Sequence, residues 1–199
     1  MKFKHLTFWL ILVLVIAAGF GLTACQRKEA DPSSQREFDQ KMAHSLAEKL
    51  SNDMAQSWLD LKRADISDYL VDNLNTHLVL KWIDFDIADR TTNSWKRLVS
   101  IDSIKVYDGK FKKIAENQAA YETFVEIRYT RHEPSVNGIN LDLFLEFEKI
   151  DGKWMITSAD LIGASIYREW KEKKYQTIAE MDQAFVDSCQ EYGLHLPAE

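Results

Sequence analysis

The chain has few of the residues that interrupt regular structure or carry catalysis. Its 199 residues include three prolines, seven glycines and two cysteines. Because proline and glycine mark turns and loops, this scarcity predicts long helices and strands with short connections. The sequence also has no glycine-rich phosphate loop, and no cysteine or histidine pairs at the spacing of zinc ligands. We therefore predict neither a metal site nor a cofactor.

Charge is missing from the N-terminal region after its first residues. Lys2 and Lys4 precede an uncharged stretch from Leu6 to Ala24, whose centre is strongly apolar. A basic start, an apolar centre and small residues before a cleavage point are typical of a secretory signal peptide. An uncleaved membrane anchor is the alternative, since a spanning helix needs roughly 20 apolar residues. In both interpretations the rest of the chain lies outside the cytoplasm.

The end of this stretch, Leu22-Thr23-Ala24-Cys25, resembles the lipobox of bacterial lipoproteins. The resemblance covers residues 1–25 and implies cleavage between Ala24 and Cys25, with a thioether-linked diacylglycerol on Cys25. An uncleaved anchor needs no cysteine at this point, so the sequence favours a lipid tether. Gln26 rather than aspartate follows, which by the same resemblance implies sorting to the outer membrane, facing the periplasm. In an envelope with one membrane, the protein would be anchored in the cell membrane.

The chain that remains after cleavage is acidic. Removal of residues 1–24 takes away two lysines and no acid, which leaves 175 residues with 23 basic and 31 acidic side chains and a formal charge of −8. This sign argues against nucleic acid or a polybasic membrane contact as the main partner. The length suits one domain with its own core. Because acylation of Cys25 leaves Cys189 as the only other cysteine, we predict that Cys189 is a buried free thiol. A disulfide with another molecule is the alternative.

Two helices are predicted in the first half of this domain. Residues 25–33 are polar and indicate a tether, after which Ser34 and Glu37 match the capping box of a helix start. Apolar residues at four-residue spacing then indicate a helix with one buried face. They are Phe38, Met42, Leu46, Leu50, Met54 and Trp58. A second helical pattern opens near Asp65. Its apolar residues are Ile66, Tyr69, Leu70, Leu74, Leu78 and Trp82. The secondary structure of residues 83–96 is ambiguous from the sequence.

From Leu98 the apolar period changes to two, which predicts β-strands. Asp108-Gly109 and Asp151-Gly152 are typical of tight turns between strands. The alternating segments begin at Leu98 and continue over Tyr121–Tyr129, Ile139–Phe147 and Lys153–Ser158. The sequence therefore predicts at least three strands in an antiparallel meander, with a further turn at residues 132–138.

A last helix is predicted from Ser165 to Tyr192, with Gly193 as its C-terminal cap. Its apolar side consists of Trp170, Ile178, Met181, Phe185 and Cys189. Charged residues surround Trp170, so we expect the first half of this helix to project into solvent. The charge run Lys171–Lys174 predicts a solvated helix face, and binding of an acidic partner is the alternative.

The order of these elements resembles a known fold. Two helices that lead into a curved antiparallel sheet, closed by the hairpin Phe147–Asp160, are similar to the nuclear transport factor 2-like superfamily, a cystatin-like cone. The resemblance rests mostly on residues 98–162 and extends over 34–162. It implies an α+β fold with the N-terminal helices packed on the sheet, and leaves residues 163–199 as an added helical extension. This superfamily includes isomerases, dehydratases, small-ligand binders, docking domains and secretion components, so the fold does not determine the function.

Three side chains are candidates for acid–base chemistry in such a cone. An enzyme of this kind needs an acid or base in an apolar cavity, with its pKa tuned by burial. His77 lies on the apolar face of the second predicted helix, where a hydrogen-bonded core histidine is the interpretation we favour. His132 precedes Pro134 in a predicted turn and is expected to be exposed. Asp160 is equally suited to ending a strand by bonding to the backbone.

The residues together predict a tethered binding protein. No catalytic constellation is found, so we expect a non-catalytic envelope lipoprotein, anchored through Cys25, that binds a protein partner or an apolar small molecule. One alternative is a tethered proton-transfer enzyme of the isomerase or dehydratase type. The other is a subunit of a secretion or conjugation apparatus.

Overall fold

A computed structural model describes residues 38–133, 138–163 and 165–196. The predicted signal peptide, the lipobox-like residues with Ala24 and Cys25, the predicted tether and the predicted capping box at 34–37 lie outside the described residues, as does most of the predicted turn at 132–138. Within the described ranges, no helix is both long enough and apolar enough to cross a bilayer.

Helix α1 (Gln40–Asp60) begins later than the sequence predicts. Asp39 has an extended backbone, and its side chain accepts a hydrogen bond of 2.9 Å from the backbone N–H of Met42, so Asp39 is the N-cap. The predicted start at Ser34 is therefore wrong. The helix ends where Leu61 takes a left-handed conformation with φ 56°.

The buried face of α1 differs from the predicted stripe. Because an α-helix repeats every 3.6 residues, a spacing of four winds around the helix by about 40° per step. Met42 and Leu46 are only partly buried, whereas Ala43 and Ala47 are fully buried. These small side chains lie on the face that packs against the sheet. The later members of the stripe are buried as predicted: Leu50, Met54 and Trp58.

The second predicted helix is wrong over most of its length, since residues 61–76 form turns. The carboxylate of Asp65 accepts hydrogen bonds from the backbone N–H and the hydroxyl of Ser67, and such local bonds compete with helix formation. Leu70 pairs with Ile156 as an isolated parallel bridge. Ile66, Tyr69 and Leu70 are therefore buried by turns and by the bridge to Ile156, not by a helix, whereas Leu74 is exposed.

Helix α2 (His77–Thr92) follows and occupies most of the ambiguous stretch. Asn73 sets its start, because the side-chain oxygen accepts the backbone N–H groups of Asn75 at 2.7 Å and Thr76 at 3.2 Å. The amide nitrogen of Asn73 donates to the carbonyl of Thr157 at 3.0 Å. The predicted stripe contributes only Leu78 and Trp82 to α2, and both are buried.

The sheet has five antiparallel strands in the order β1-β3-β4-β5, with β2 also paired to β3. They are β1 (Leu98–Val106), β2 (Lys110–Ala115), β3 (Gln118–Arg131), β4 (Gly138–Ile150) and β5 (Lys153–Ile162). The predicted strands are confirmed. The turn at Asp151-Gly152 is confirmed too, and both residues have positive φ, as tight hairpin turns require. Strand β2 was not predicted, because its three lysines hide the alternation.

The two faces of the sheet follow the predicted alternation. Along β3, Tyr121, Val125 and Ile127 are buried on the inner face, whereas Glu122 and Arg128 are exposed on the outer face. Helix α1 packs against β1, β2 and β3. The fold is therefore α+β, as predicted, with two helices before the sheet.

Two helices, not one, follow the sheet: α3 (Ser165–Glu172) and α4 (Ile178–Glu191). Lys174 interrupts the predicted continuous helix in a left-handed conformation with φ 51°. Trp170 does not project into solvent as expected, since it is 1% exposed and its indole N–H donates to the hydroxyl of Ser188 at 2.9 Å. The charged residues of α3 lie on its other sides. Gly193, with φ 63°, follows α4 as the predicted cap.

Arg90 is the most deeply buried cation of the described residues. Its guanidinium donates to Asp86 and to the carbonyl of Lys96, each at 3.0 Å. The same group lies 5.4 Å from the ring centres of both Trp58 and Tyr129. Arg90 therefore connects α1, α2 and β3 with the 3-10 turn Ser94–Lys96.

We predict that Arg90→Ala lowers the free energy of unfolding by roughly 3–5 kcal/mol, because it leaves Asp86 without its partner and opens space between two rings. Chemical denaturation measures this loss. Arg128→Ala is the control, since Arg128 is half-exposed and pairs with the nearby Glu126, and surface pairs of this kind contribute little. Equal losses in the two variants would contradict the role given to Arg90.

Candidate functional site

His77 is held between two carboxylates at the start of α2. Its Nδ1 lies 2.7 Å from Asp72, and its Nε2 lies 2.9 Å from Asp182 of α4. The imidazole is buried, while both carboxylates are about half-exposed. A neutral imidazole carries one N–H, so the ring donates to both aspartates only when it is protonated. Since both nitrogens are engaged, His77 is a hydrogen-bonded core histidine, as favoured above.

The carboxylate of Asp182 extends this arrangement into a network. Lys81 lies 2.8 Å from Asp182 and 3.8 Å from Asp84, and Arg63 donates to Asp84 at 2.9 Å. Burial raises the pKa of Asp84, although Arg63 and Lys81 oppose this effect. This network of acidic and basic side chains joins residues 61–76, α2 and α4.

Two further pKa shifts belong to this network. Partial burial disfavours the ionised form of Asp182, but hydrogen bonds from Lys81 and His77 outweigh it and lower the pKa of this carboxyl. Burial, with a contribution from nearby Asp84, raises the pKa of the Cys189 thiol to about 11. Cys189 is buried and free, as predicted, and its raised pKa disfavours a reactive thiolate.

Asp160, on β5, has a different environment. Its carboxylate accepts a hydrogen bond of 3.1 Å from the hydroxyl of Tyr167 and forms an ion pair with Lys171. Burial and the charge of Asp160 raise the pKa of Tyr167, so this phenol stays a neutral donor. Asp160 therefore attaches α3 to the last strand, and each of its carboxylate oxygens already has one donor.

The structure does not bring the three candidate residues together. His77 and Asp160 share no hydrogen-bond or ion-pair partner within the described residues. His132 is exposed just beyond β3, as expected, and its backbone N–H reaches the carbonyl of Arg97 at 3.4 Å. Nowhere in the described ranges do three histidine, cysteine or acidic side chains gather as metal ligands would.

An apolar cavity of about 400 Å³ lies between the end of β5 and α3. We call it the β5–α3 pocket. It is lined by Leu161, Ile162, Gly163, Tyr167, Arg168, Lys171, Glu172 and Lys174. Sequence reasoning missed it, because the lysines and the arginine were assigned to a solvated helix face. The signal in the sequence was the apolar pair Leu161-Ile162 directly before Gly163.

A second cavity, of about 310 Å³, lies on the other side of Tyr167 and Lys171 and includes Asp160 and Trp170. Tyr175 also lines it, and its hydroxyl is buried without a hydrogen-bond partner among the described residues. A third cavity, of about 390 Å³, has an aromatic wall and a rim of charged side chains that already form ion pairs. The β5–α3 pocket is the most uniformly apolar of the three.

No family model and no curated protein matches the chain.

We predict that Asp182 contributes a pH-dependent part of the stability. Its pKa in the folded protein lies below the value of about 3.9 for an unfolded aspartate. The contribution is therefore present above that value and is lost as the pH falls through the folded pKa. Unfolding free energies of wild type and Asp182→Asn should differ most above about pH 5, and the difference should shrink as the pH falls below about 3.9 toward the folded pKa. Asp68→Asn, which removes an exposed carboxylate, is the control. A difference for Asp182→Asn that stays constant with pH would contradict the prediction.

Proposed function

We propose that this protein is a membrane-tethered envelope lipoprotein that is not an enzyme and that binds a protein partner or an apolar small molecule. The observation that carries this proposal is the β5–α3 pocket, an apolar cavity of about 400 Å³. Cavities that bind small molecules have volumes of about 300–1,000 Å³ and are mostly apolar with a few polar groups. The pocket meets both criteria.

The state of the titratable candidates supports a binding role. His77 has both ring nitrogens engaged by carboxylates, and Asp160 is engaged by Tyr167 and Lys171. A general base needs a free acceptor within hydrogen-bond reach of its substrate. These side chains hold helices in place instead.

The tether is supported by the lipobox residues, with acylation on Cys25 after cleavage at Ala24. The described domain begins at Phe38, so residues 25–37 connect it to the lipid. A chain of 13 residues spans at most about 45 Å when fully extended. The domain therefore stays close to the membrane, which we place as the outer membrane facing the periplasm, or the cell membrane of an envelope with one membrane.

We also propose that the sheet and α1 form a cystatin-like cone of the nuclear transport factor 2-like type. The packing of α1 against β1, β2 and β3 supports this assignment. The register shifts in the β1–β3 and β4–β5 pairs support it further, because bulges bend a sheet. Helices α3 and α4 are additions to that fold, and α3 forms one wall of the pocket.

A tethered proton-transfer enzyme is the second candidate. The observation that favours it is the position of Asp160, which lines the cavity of about 310 Å³ beside a neutral phenol donor. This candidate requires Lys171 to leave Asp160 during turnover. An Asp160→Ala variant that stays folded and loses a turnover would establish the enzyme.

Native mass spectrometry of the full-length protein, gently extracted from its own membrane, tests binding directly. We expect a retained mass, either a second polypeptide or a small molecule. Ile162→Gln should remove it, because Ile162 lies in the pocket and is 51% exposed. Ile114→Gln is the matched control, since Ile114 is 52% exposed on β2. Acylated protein without any other mass, or a mass that Ile162→Gln retains, would contradict binding in this pocket.

The lipid tether has its own test. We expect Cys25→Ser to accumulate as an unprocessed precursor, because the thiol is the acylation site and cleavage follows acylation. Gel mobility and intact mass measure processing, and Cys189→Ser is the matched control that should be processed normally. Normal processing and membrane retention of Cys25→Ser would refute the lipoprotein assignment.

A further inference from the structure

We infer that the β5–α3 pocket binds an alkyl chain that carries an anionic head group. The chain would lie on Leu161 and Ile162, and the head group would lie among Arg168, Lys171 and Lys174. This inference rests on the proposed function, because it names the chemical class of the bound molecule.

The floor of the pocket is suited to an alkyl chain. Ile162 is 51% exposed, so an apolar surface stands open at the end of β5, whereas Leu161 is 2% exposed and only borders the pocket. Gly163 adds a wall without a side chain. Its φ of 126° is one that other residues rarely adopt, and a Cβ there would come within 2.7 Å of the carbonyl of Asn140.

The rim of the pocket is basic, although the chain as a whole has a formal charge of −6. Arg168, Lys171 and Lys174 follow one another at three-residue spacing and line the cavity, with Glu172 as its one carboxylate. Long basic side chains cover apolar surface with their methylene stems and keep their charges at the solvent edge. Their stems therefore extend the apolar wall, and their charged ends mark the mouth.

Two of these cations are available to a ligand. Lys171 is paired with Asp160, whereas Arg168 and Lys174 form no ion pair within the described residues. An anionic head group would satisfy them by charge-assisted hydrogen bonds. A cationic head group would be repelled, and a neutral chain would make no use of the rim.

Lys174 lies just beyond the end of α3. Its φ of 51° is in the left-handed region, where glycine is favoured and other side chains carry a conformational cost. Helices often end in this conformation, as α1 does at Leu61. The turn places Lys174 in the lining of the pocket together with Arg168.

Photo-crosslinking tests the inference on the acylated full chain in nanodiscs of phosphatidylcholine. The probes are dodecanoate, dodecanol and dodecylammonium, each with a diazirine at the end of the chain. We expect cross-links on residues 161–174, with the carboxylate labelling roughly tenfold more than the ammonium. Competition by unlabelled dodecanoate or dodecyl phosphate then distinguishes a fatty acid from a phosphate-headed lipid as the source of the anion.

Lys174→Gly is the decisive variant, because glycine fits the left-handed backbone and removes only the charged side chain. We expect labelling by dodecanoate to fall roughly fivefold, with no loss of thermal stability. Arg168→Gln should give a similar fall if the glycine variant is less stable than expected. Lys112→Gln, which removes an exposed charge from β2, should leave labelling unchanged.

Three outcomes would overturn the inference. The first is equal labelling by all three probes, and the second is cross-linking outside residues 161–174. The third is displacement of the probe by polyglutamate as effectively as by dodecanoate, which would make an acidic polypeptide the occupant. Equal labelling leaves the proposed function intact if Ile162→Gln still removes a retained mass. Failure of the proposed function would instead appear as normal processing of Cys25→Ser or as extracted protein with no other mass.

Discussion

The buried guanidinium of Arg90 constrains the rest of the structure. A desolvated cation is costly unless its donors find acceptors, and aromatic rings near it stabilise it further. Asp86 and the carbonyl of Lys96 accept from the two terminal nitrogens, Trp58 and Tyr129 supply the rings, and Nε has no partner among the described residues. Helix α1, helix α2 and strand β3 must therefore approach in one arrangement. The C-terminal helices are then packed on α2, where the network around His77 joins α4 to it.

Much of the sheet was predictable, because each strand buries one face and a period of two then appears in the sequence. The connections were less predictable. In residues 61–76 apolar spacing suggests a helix, but Asp65 and Asn73 use their side chains to stabilise turns. Helix α1 was displaced because Asp39, not Ser34, caps it. The break after α3 depends on a left-handed lysine at 174, which no sequence rule marks.

For the candidate site, the sequence predicted individual residues but not their partners. Residue type alone singled out His77 and Asp160, and for His77 it also gave the favoured structural role. Their partners could not be found from the sequence, since Asp182 is 105 positions from His77 and reaches it only through the packing of α4 on α2. The β5–α3 pocket was hidden for another reason. Its walls are partly methylene stems of charged residues, which hydropathy counts as polar.

The strand edges have a consequence for a protein tethered to a membrane as proposed. On one side, β1 carries two register shifts and β2 presents three lysines; on the other, Leu70 pairs with Ile156 of β5. Irregular, charged or covered edges resist pairing with a neighbouring sheet. Lipid-anchored copies, as proposed, diffuse in two dimensions and meet far more often than free ones. The same edges would keep such a crowded layer from joining strand to strand into aggregates.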